Sequence, residues 1–311
     1  MSELAGGRPR RDGGVIPLRP LTVGELLDGA VALLRTNGRR LVAYGAALAV
    51  VEQAVLFVLR ARADQDISML PGTGLLREYG VLVVAGFAGE AMIIATLAAS
   101  AAAGSGRALL GAAAPAPGRS RRASLVATVL LVGVIMAVAV SPFVVLVESL
   151  QIFGIVLGWF LVCLLWAVPY GLTGLAMPAA VLERRGPGSA LVRSLQLSGR
   201  TILRAAVIRI LGYAGWALVR LGLILATIAV VTIFSGGPLP SAMWDRVALA
   251  GAALLVNAVA YPVLGCLDTM LLLETRMRTE GLDIALRWAQ RRGVPPSLDA
   301  PTVVPSPGPL R

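Results

Sequence analysis

Apolar positions along the chain form two patterns, long unbroken runs and shorter stripes at helical spacing. The runs cover about 41–59, 80–103, 124–147, 152–182, 205–234 and 247–273. About 20 helical residues at roughly 1.5 Å each cross a hydrocarbon layer of about 30 Å. Peptide groups in lipid must be satisfied within their own segment, so each run predicts a helix. The short alternating segments of a membrane β-barrel are absent from the sequence. The pattern therefore predicts an all-α, polytopic membrane helix bundle of about six transmembrane helices, 41–273, with cytoplasmic amphipathic helices. The last three runs exceed the need of a bilayer and predict tilt or projection beyond it. Pro169 and Pro178 predict a kink in the fourth.

The stripes lie outside the runs. In "LTVGELLDGAVALLRTNGRR", Val23, Leu26, Leu27, Ala30, Val31 and Leu34 share one helix face, opposite Glu25, Asp28 and Arg35. Thr22 and Glu25 have the spacing of a capping box, in which each side chain satisfies a free N–H at the helix start. The segment 21–40 is too polar to span. Two placements suit it: on the membrane surface, with Arg39 and Arg40 at the headgroups, or packed on the end of the bundle. A second amphipathic segment precedes the fifth run. Pro187 suits a first helical turn, with Leu191, Val192 and Leu195 on one side and Arg193, Gln196 and Arg200 on the other. A helical extension, 274–293, carries the i, i+4 pairs Glu274/Arg278 and Asp283/Arg287, which support a solvated helix. Residues 1–20 and the Pro-rich 294–311 predict disordered ends.

Composition sharpens this picture. The chain is 57% hydrophobic and 14% charged, against about 25% charged for an ordinary soluble domain. All 28 basic residues are arginine, His is absent, and the net charge is +11. Without His the commonest general base and metal ligand are missing. The two cysteines lie in apolar runs and read as small hydrophobes. No cofactor, metal site or disulfide is expected. Arginines concentrate on one side of the runs: twenty-two fall in the two ends and the even-numbered loops, with the start of the fifth run, and four on the other side. That asymmetry predicts a cytoplasmic membrane protein with both termini in the cytoplasm. Attraction to anionic inner-leaflet lipids accounts for the charge without nucleic acid.

Polar residues inside the runs carry the candidate chemistry. Glu52, Glu90 and Arg220 fall at similar depth in the first, second and fifth runs. An ionised residue at a helix centre costs roughly 2.5–3.5 kcal/mol on insertion scales, and facing inward with a partner relieves it. These three are expected to form a central cluster. Gln53, Arg209, Asn257 and Asp268 are further intramembrane polar candidates. Either the cluster is a structural ion pair that fixes helix register, or two carboxylates against one Arg make a proton site or polar pocket.

Three stretches together carry a family likeness: "IPLRPLTVGELLDGAVALLR", "AMPAAVLERRGPGSALVRSLQLSGR" and "LLETRMRTEGLDIAL". The chain resembles actinobacterial multi-pass proteins of the glycerophosphoryl diester phosphodiesterase membrane-domain family. The resemblance implies a helical membrane bundle. In the enzymes that lend the family its label, a separate TIM barrel hydrolyses substrate with Glu, Asp and His around a metal. This chain has neither the length for a barrel nor any His, so the resemblance implies no catalysis here.

The sequence reads first as a non-enzymatic scaffold or accessory subunit of envelope or membrane machinery, with a transporter or lipid-handling protein using the midplane Glu/Arg cluster as the alternative and a membrane enzyme last. A non-enzymatic scaffold or accessory subunit, engaging a membrane-protein partner, predicts a closed bundle with no polar path. A transporter or lipid-handling protein predicts a polar cavity at the Glu/Arg cluster. A membrane enzyme would need a nucleophile–base pair, a metal set or a phosphate loop, and the sequence offers none; no catalytic residue is assigned.

Overall fold

The computed structural model describes residues 19, 21–67, 75–110, 119–149, 163–201, 203–235 and 243–292. The expected disordered ends, 1–20 save residue 19 and 294–311, and the start of the fourth run lie outside these. All elements among the described residues are helical. They are α1 (Val23–Ile67), α2 (Leu75–Leu110), α3 (Arg119–Ser149), α4 (described over 163–173), α5 (Ala176–Leu182), α6 (Pro187–Arg200), α7 (Arg204–Ser235), α8 (Met243–Glu280) and α9 (Leu282–Arg292). Six helical segments are long and apolar enough to cross a membrane: one each in α1, α2, α3, α7 and α8, and α4 with α5 together.

Local chemistry sets the helix ends. Thr22 and Glu25 form both halves of the capping box: the Thr22 backbone N–H donates to Glu25 Oε2 at 2.9 Å, and the Glu25 N–H donates to Thr22 Oγ1 at 3.3 Å. The amphipathic segment and the first span are one helix, bent at Asn37, where φ is −126° and ψ 17°. Asn37 fills the space left by Gly104 of α2. The fourth span breaks at Gly174–Leu175, between its two prolines. Breaking the helix frees carbonyls, and side chains take them up. Ser194 Oγ donates to the Leu172 carbonyl at 2.5 Å beside the break, and at the end of α5 Arg121 donates to the free carbonyls of Ala180 and Val181 at 3.1 and 2.6 Å.

The two ends of the bundle differ in packing. α8 has 38 residues, about 57 Å at 1.5 Å per residue, so it reaches well past a bilayer. Its stretch from Leu264 to Met277 is buried throughout, under α2, α1 and the short helices at the Arg-rich end. Gly265 meets the α2 backbone there; a Cβ would lie 2.8 Å from Ala98 N, so only glycine permits this crossing. At the other end α7 is thinly packed. Tyr213 is its last buried residue, and Leu218, Leu221, Leu225 and Phe234 face outward, as lipid contact requires.

The amphipathic segments orient by their polar partners. In α1, Leu26 and Ala30 are buried and Leu34 packs on the core, while Val23, Leu27 and Val31 are exposed. The stripe is thus divided between the bundle and the outside. In α6 the buried side is Ala190, Arg193, Ser194, Leu197 and Ser198, and Val192 and Leu195 are exposed. Arg193 turns inward because Glu183 and Glu280 await it there. Glu274 pairs with Arg278 as its spacing suggests, but in a buried site rather than a solvated one. It is 1% exposed and also receives Arg204 at 2.5 Å. Arg278 and Arg204 both donate to the Leu21 carbonyl, pinning the chain before α1.

Glu183 is the hub of this end. Arg193 Nε lies 2.9 Å from Glu183 Oε2, Arg185 Nε 2.6 Å from Oε2, and Arg276 Nε 3.5 Å from Oε1. Burial alone would raise the Glu183 carboxyl pKa. The hydrogen bonds from Arg193 and Arg185, with the charge of Arg276, outweigh burial and hold it below its ordinary value. A depressed carboxylate stabilises the fold above its unfolded pKa and loses that contribution as pH falls through its folded pKa. Stability of the detergent-solubilised protein is therefore expected to fall as the solution is acidified through and below the usual carboxylate range. Glu183→Gln should flatten that acid limb while lowering stability at neutral pH. An unchanged acid limb in thermal melts of the variant would remove Glu183 from this role.

Candidate functional site

The intramembrane polar residues gather in two tiers on facing helices. α7 supplies Arg209, Tyr213 and Arg220, spaced i, i+4 and i+11; α8 supplies Asn257, Tyr261 and Asp268 at the same spacing. At 3.6 residues per turn these intervals keep each set on one face.

The tier farther from the Arg-rich end holds the three residues expected to cluster. Glu90 accepts hydrogen bonds from Tyr213 and from Arg220, which is also its ion-pair partner. Glu52 lies beside this pair, close enough to feel the charges of Glu90 and Arg220, but does not bond to Arg220. Its Oε2 instead accepts from Tyr261 Oη at 2.8 Å and from Asn257 Nδ2 at 3.4 Å. Its Oε1 points toward Gly89, where a Cβ would stand 3.7 Å away. Gln53 is buried next to Glu52.

The second tier pairs two residues that the sequence reading left unpaired. Arg209 donates from Nε to Asp268 Oδ1 at 2.6 Å and from Nη2 to Oδ2 at 3.0 Å, a bidentate fork. Both are essentially inaccessible, at 2% and 1% exposure. The Arg209 guanidinium stacks 3.6 Å over the Tyr170 ring and packs against Gly174 at the α4–α5 break. The break and the missing side chain give it room.

Aromatic rings join the tiers, and sequence reasoning missed them. Trp166 stacks on Tyr170 with centroids 4.3 Å apart and touches Tyr213 at 4.3 Å and Phe87 at 5.4 Å. Tyr170 meets Tyr213 edge-on at 5.2 Å. A signal was present: Arg209, Tyr213, Trp216 and Arg220 recur at i, i+4, i+7 and i+11 inside an apolar run. Read as a stripe rather than as isolated charges, they mark an inward polar-aromatic face.

Charge and hydrogen bonding are both left incomplete. The tiers hold three carboxylates (Glu52, Glu90, Asp268) and two guanidiniums (Arg209, Arg220), and Glu52 has no ion-pair partner of its own among the described residues. Seven buried polar atoms here have no hydrogen-bond partner among the described residues. Glu52 Oε1, Gln53 Oε1 and Asn257 Oδ1, on α1 and α8, are acceptors; Trp166 Nε1, Arg209 Nη1 and Arg220 Nε are donors, and the Tyr170 hydroxyl is either. Each buried group left without a partner costs about 1–3 kcal/mol. No group of three or more His, Cys, Asp or Glu able to hold a metal occurs among the described residues.

These helices and their charged, aromatic interior are those of a multi-pass membrane protein. Comparison of the chain with protein-family models, with curated proteins and with solved structures found no match.

Proposed function

We propose that the chain is a non-enzymatic transporter or lipid-handling protein of the cytoplasmic membrane, with its Arg-rich end and both termini in the cytoplasm. The observation that carries this reading is the set of unpartnered polar atoms at Glu52, Gln53, Asn257, Trp166, Tyr170, Arg209 and Arg220. A purely structural ion pair satisfies its own members. Here buried donors and acceptors remain open around two completed pairs, as in a site that receives a polar ligand. An intramembrane ionisable residue without its own counter-ion points the same way.

A scaffold that engages a membrane-protein partner is the second reading. It draws on the apolar residues turned outward at the Arg-rich end: Val23, Leu27 and Val31 of α1, and Val192 and Leu195 of α6. Purification from native membrane, with mass spectrometric identification of what remains bound, separates the two. The ligand-handling reading expects a polar small molecule or lipid near one per chain, depleted in Glu52→Gln. A stoichiometric protein partner, with the same bound molecules in both forms, would favour the scaffold instead.

A further inference from the structure

The amphipathic pattern of α6 is inverted. Its side toward the bundle carries Arg193, Ser194 and Ser198 with Ala190 and Leu197. Arg193 is used there on Glu183 and Glu280, and Ser194 on the Leu172 carbonyl. At 3.6 residues per turn the outward arc divides in two. Half-buried Leu191 and exposed Val192 and Leu195 make one flank; exposed Ser189, Gln196 and Arg200 make the other. The apolar flank does not end with the helix. Leu203, in the turn that follows, is exposed at φ 60°, a backbone that glycine or asparagine holds at less cost than leucine. Val207, Leu211 and Leu218 continue the exposed line along α7, at intervals of four, four and seven residues that keep them on one face. That face is the one α7 turns to lipid.

We infer that α6 is docked in the boundary between headgroups and acyl chains of the leaflet at the Arg-rich end. Leu191, Val192, Leu195 and Leu203 are seated among acyl chains, and Arg200 lies against anionic lipid phosphate. A helix with one protein-facing side, one apolar flank and one polar flank fits that boundary, because each side meets its own medium. Continuity selects lipid as the occupant: a protein seated on Val192 and Leu195 would also have to displace lipid from the adjoining line of α7. Charge agrees, since residues 187–200 contain no acid and Arg200 is exposed beside the apolar flank. α6 therefore ties the bilayer to the buried charges of this end, with lipid on its outer side and Glu183 held by Arg193 on its inner side. The inference requires only that the bundle sits in a bilayer and is independent of what the polar tiers take up. It assigns to lipid the α6 part of the surface that the scaffold reading gives to a protein.

The experiment uses the full chain in nanodiscs, with the exposed Cys163 changed to Ser and the buried Cys266 left in place. A nitroxide is attached at one position at a time, through Val192→Cys, Leu195→Cys, Ser189→Cys or Gln196→Cys. All four positions are exposed, so each label has room without repacking the bundle. Collision with oxygen, which concentrates in hydrocarbon, is compared with collision with a water-soluble nickel chelate. The expected result is an oxygen-to-nickel ratio several-fold higher at 192 and 195 than at 189 and 196. Nickel-dominated ratios at all four positions overturn the docking in favour of a helix in water. Shielding of 192 and 195 from both reagents overturns it in favour of protein over this flank, and oxygen-dominated ratios at all four overturn the boundary placement. The contrast should deepen when phosphatidylglycerol replaces phosphatidylcholine, and Arg200→Gln should abolish that dependence. No dependence in the parent, or the same dependence in the variant, overturns the phosphate contact.

Discussion

Replacing Arg209 with leucine should lower the stability of the solubilised protein by about 3–5 kcal/mol, the usual cost of removing one member of a buried ion pair. Asp268 would be left 1% exposed, without the two nitrogens that satisfy both its oxygens. It must then remain charged in a low-dielectric interior or take up a proton, and both outcomes are unfavourable. The stacking on Tyr170 is lost as well. Changing both partners, Arg209→Leu with Asp268→Leu, should recover much of the loss, since a buried pair replaced by apolar groups of similar volume is often close to neutral. Equilibrium unfolding of the four proteins in one detergent gives the coupling. Additive losses would show that the fork contributes nothing beyond two separate side chains.

The apolar runs made the spans legible, because a bilayer demands length and hydrophobicity and little else. The capping box at Thr22 and Glu25 was legible because its bonds are local. Partner choice was not. Glu52, Glu90 and Arg220 could be placed at one depth by counting residues from helix ends, but depth does not determine rotation about the helix axis. Arg220 therefore meets Glu90, while Glu52 turns to Tyr261 and Asn257. Arg209 and Asp268 lie 59 residues apart, and no periodicity links them. The orientation of α6 depended on an acid ten residues upstream and another on α8. The stripe of Leu191, Val192 and Leu195 did not say which side faces the bundle, and the structure turns the Arg193 side inward. At the Arg-rich end, Arg193 turns inward to two largely buried acids, Glu183 and Glu280, and that charge pairing outranked the amphipathic pattern. The tyrosines escaped notice because an aromatic inside an apolar run reads as bulk hydrophobe until its hydroxyl is given a partner.

Arg220→Leu should be the most damaging single change in the tier farther from the Arg-rich end. It removes the guanidinium that pairs with Glu90 and lies near Glu52, and leaves Tyr213 as the donor to Glu90 among the described residues. With Arg220 only 18% exposed and Glu90 11% by side chain, solvent cannot replace the lost partner, and a loss of about 3–5 kcal/mol follows from the stranded charge. Adding Glu90→Gln removes that charge and should restore a large part of the stability, so the double variant should be more stable than Arg220→Leu alone. Glu52→Gln added to Arg220→Leu should restore less, because Glu52 already rests on neutral donors and was never bonded to the arginine. Thermal unfolding of these variants in one detergent orders them directly. If Glu52→Gln rescues Arg220→Leu as well as Glu90→Gln does, the guanidinium serves both carboxylates equally. Glu52 would then have a counter-ion after all, shared with Glu90.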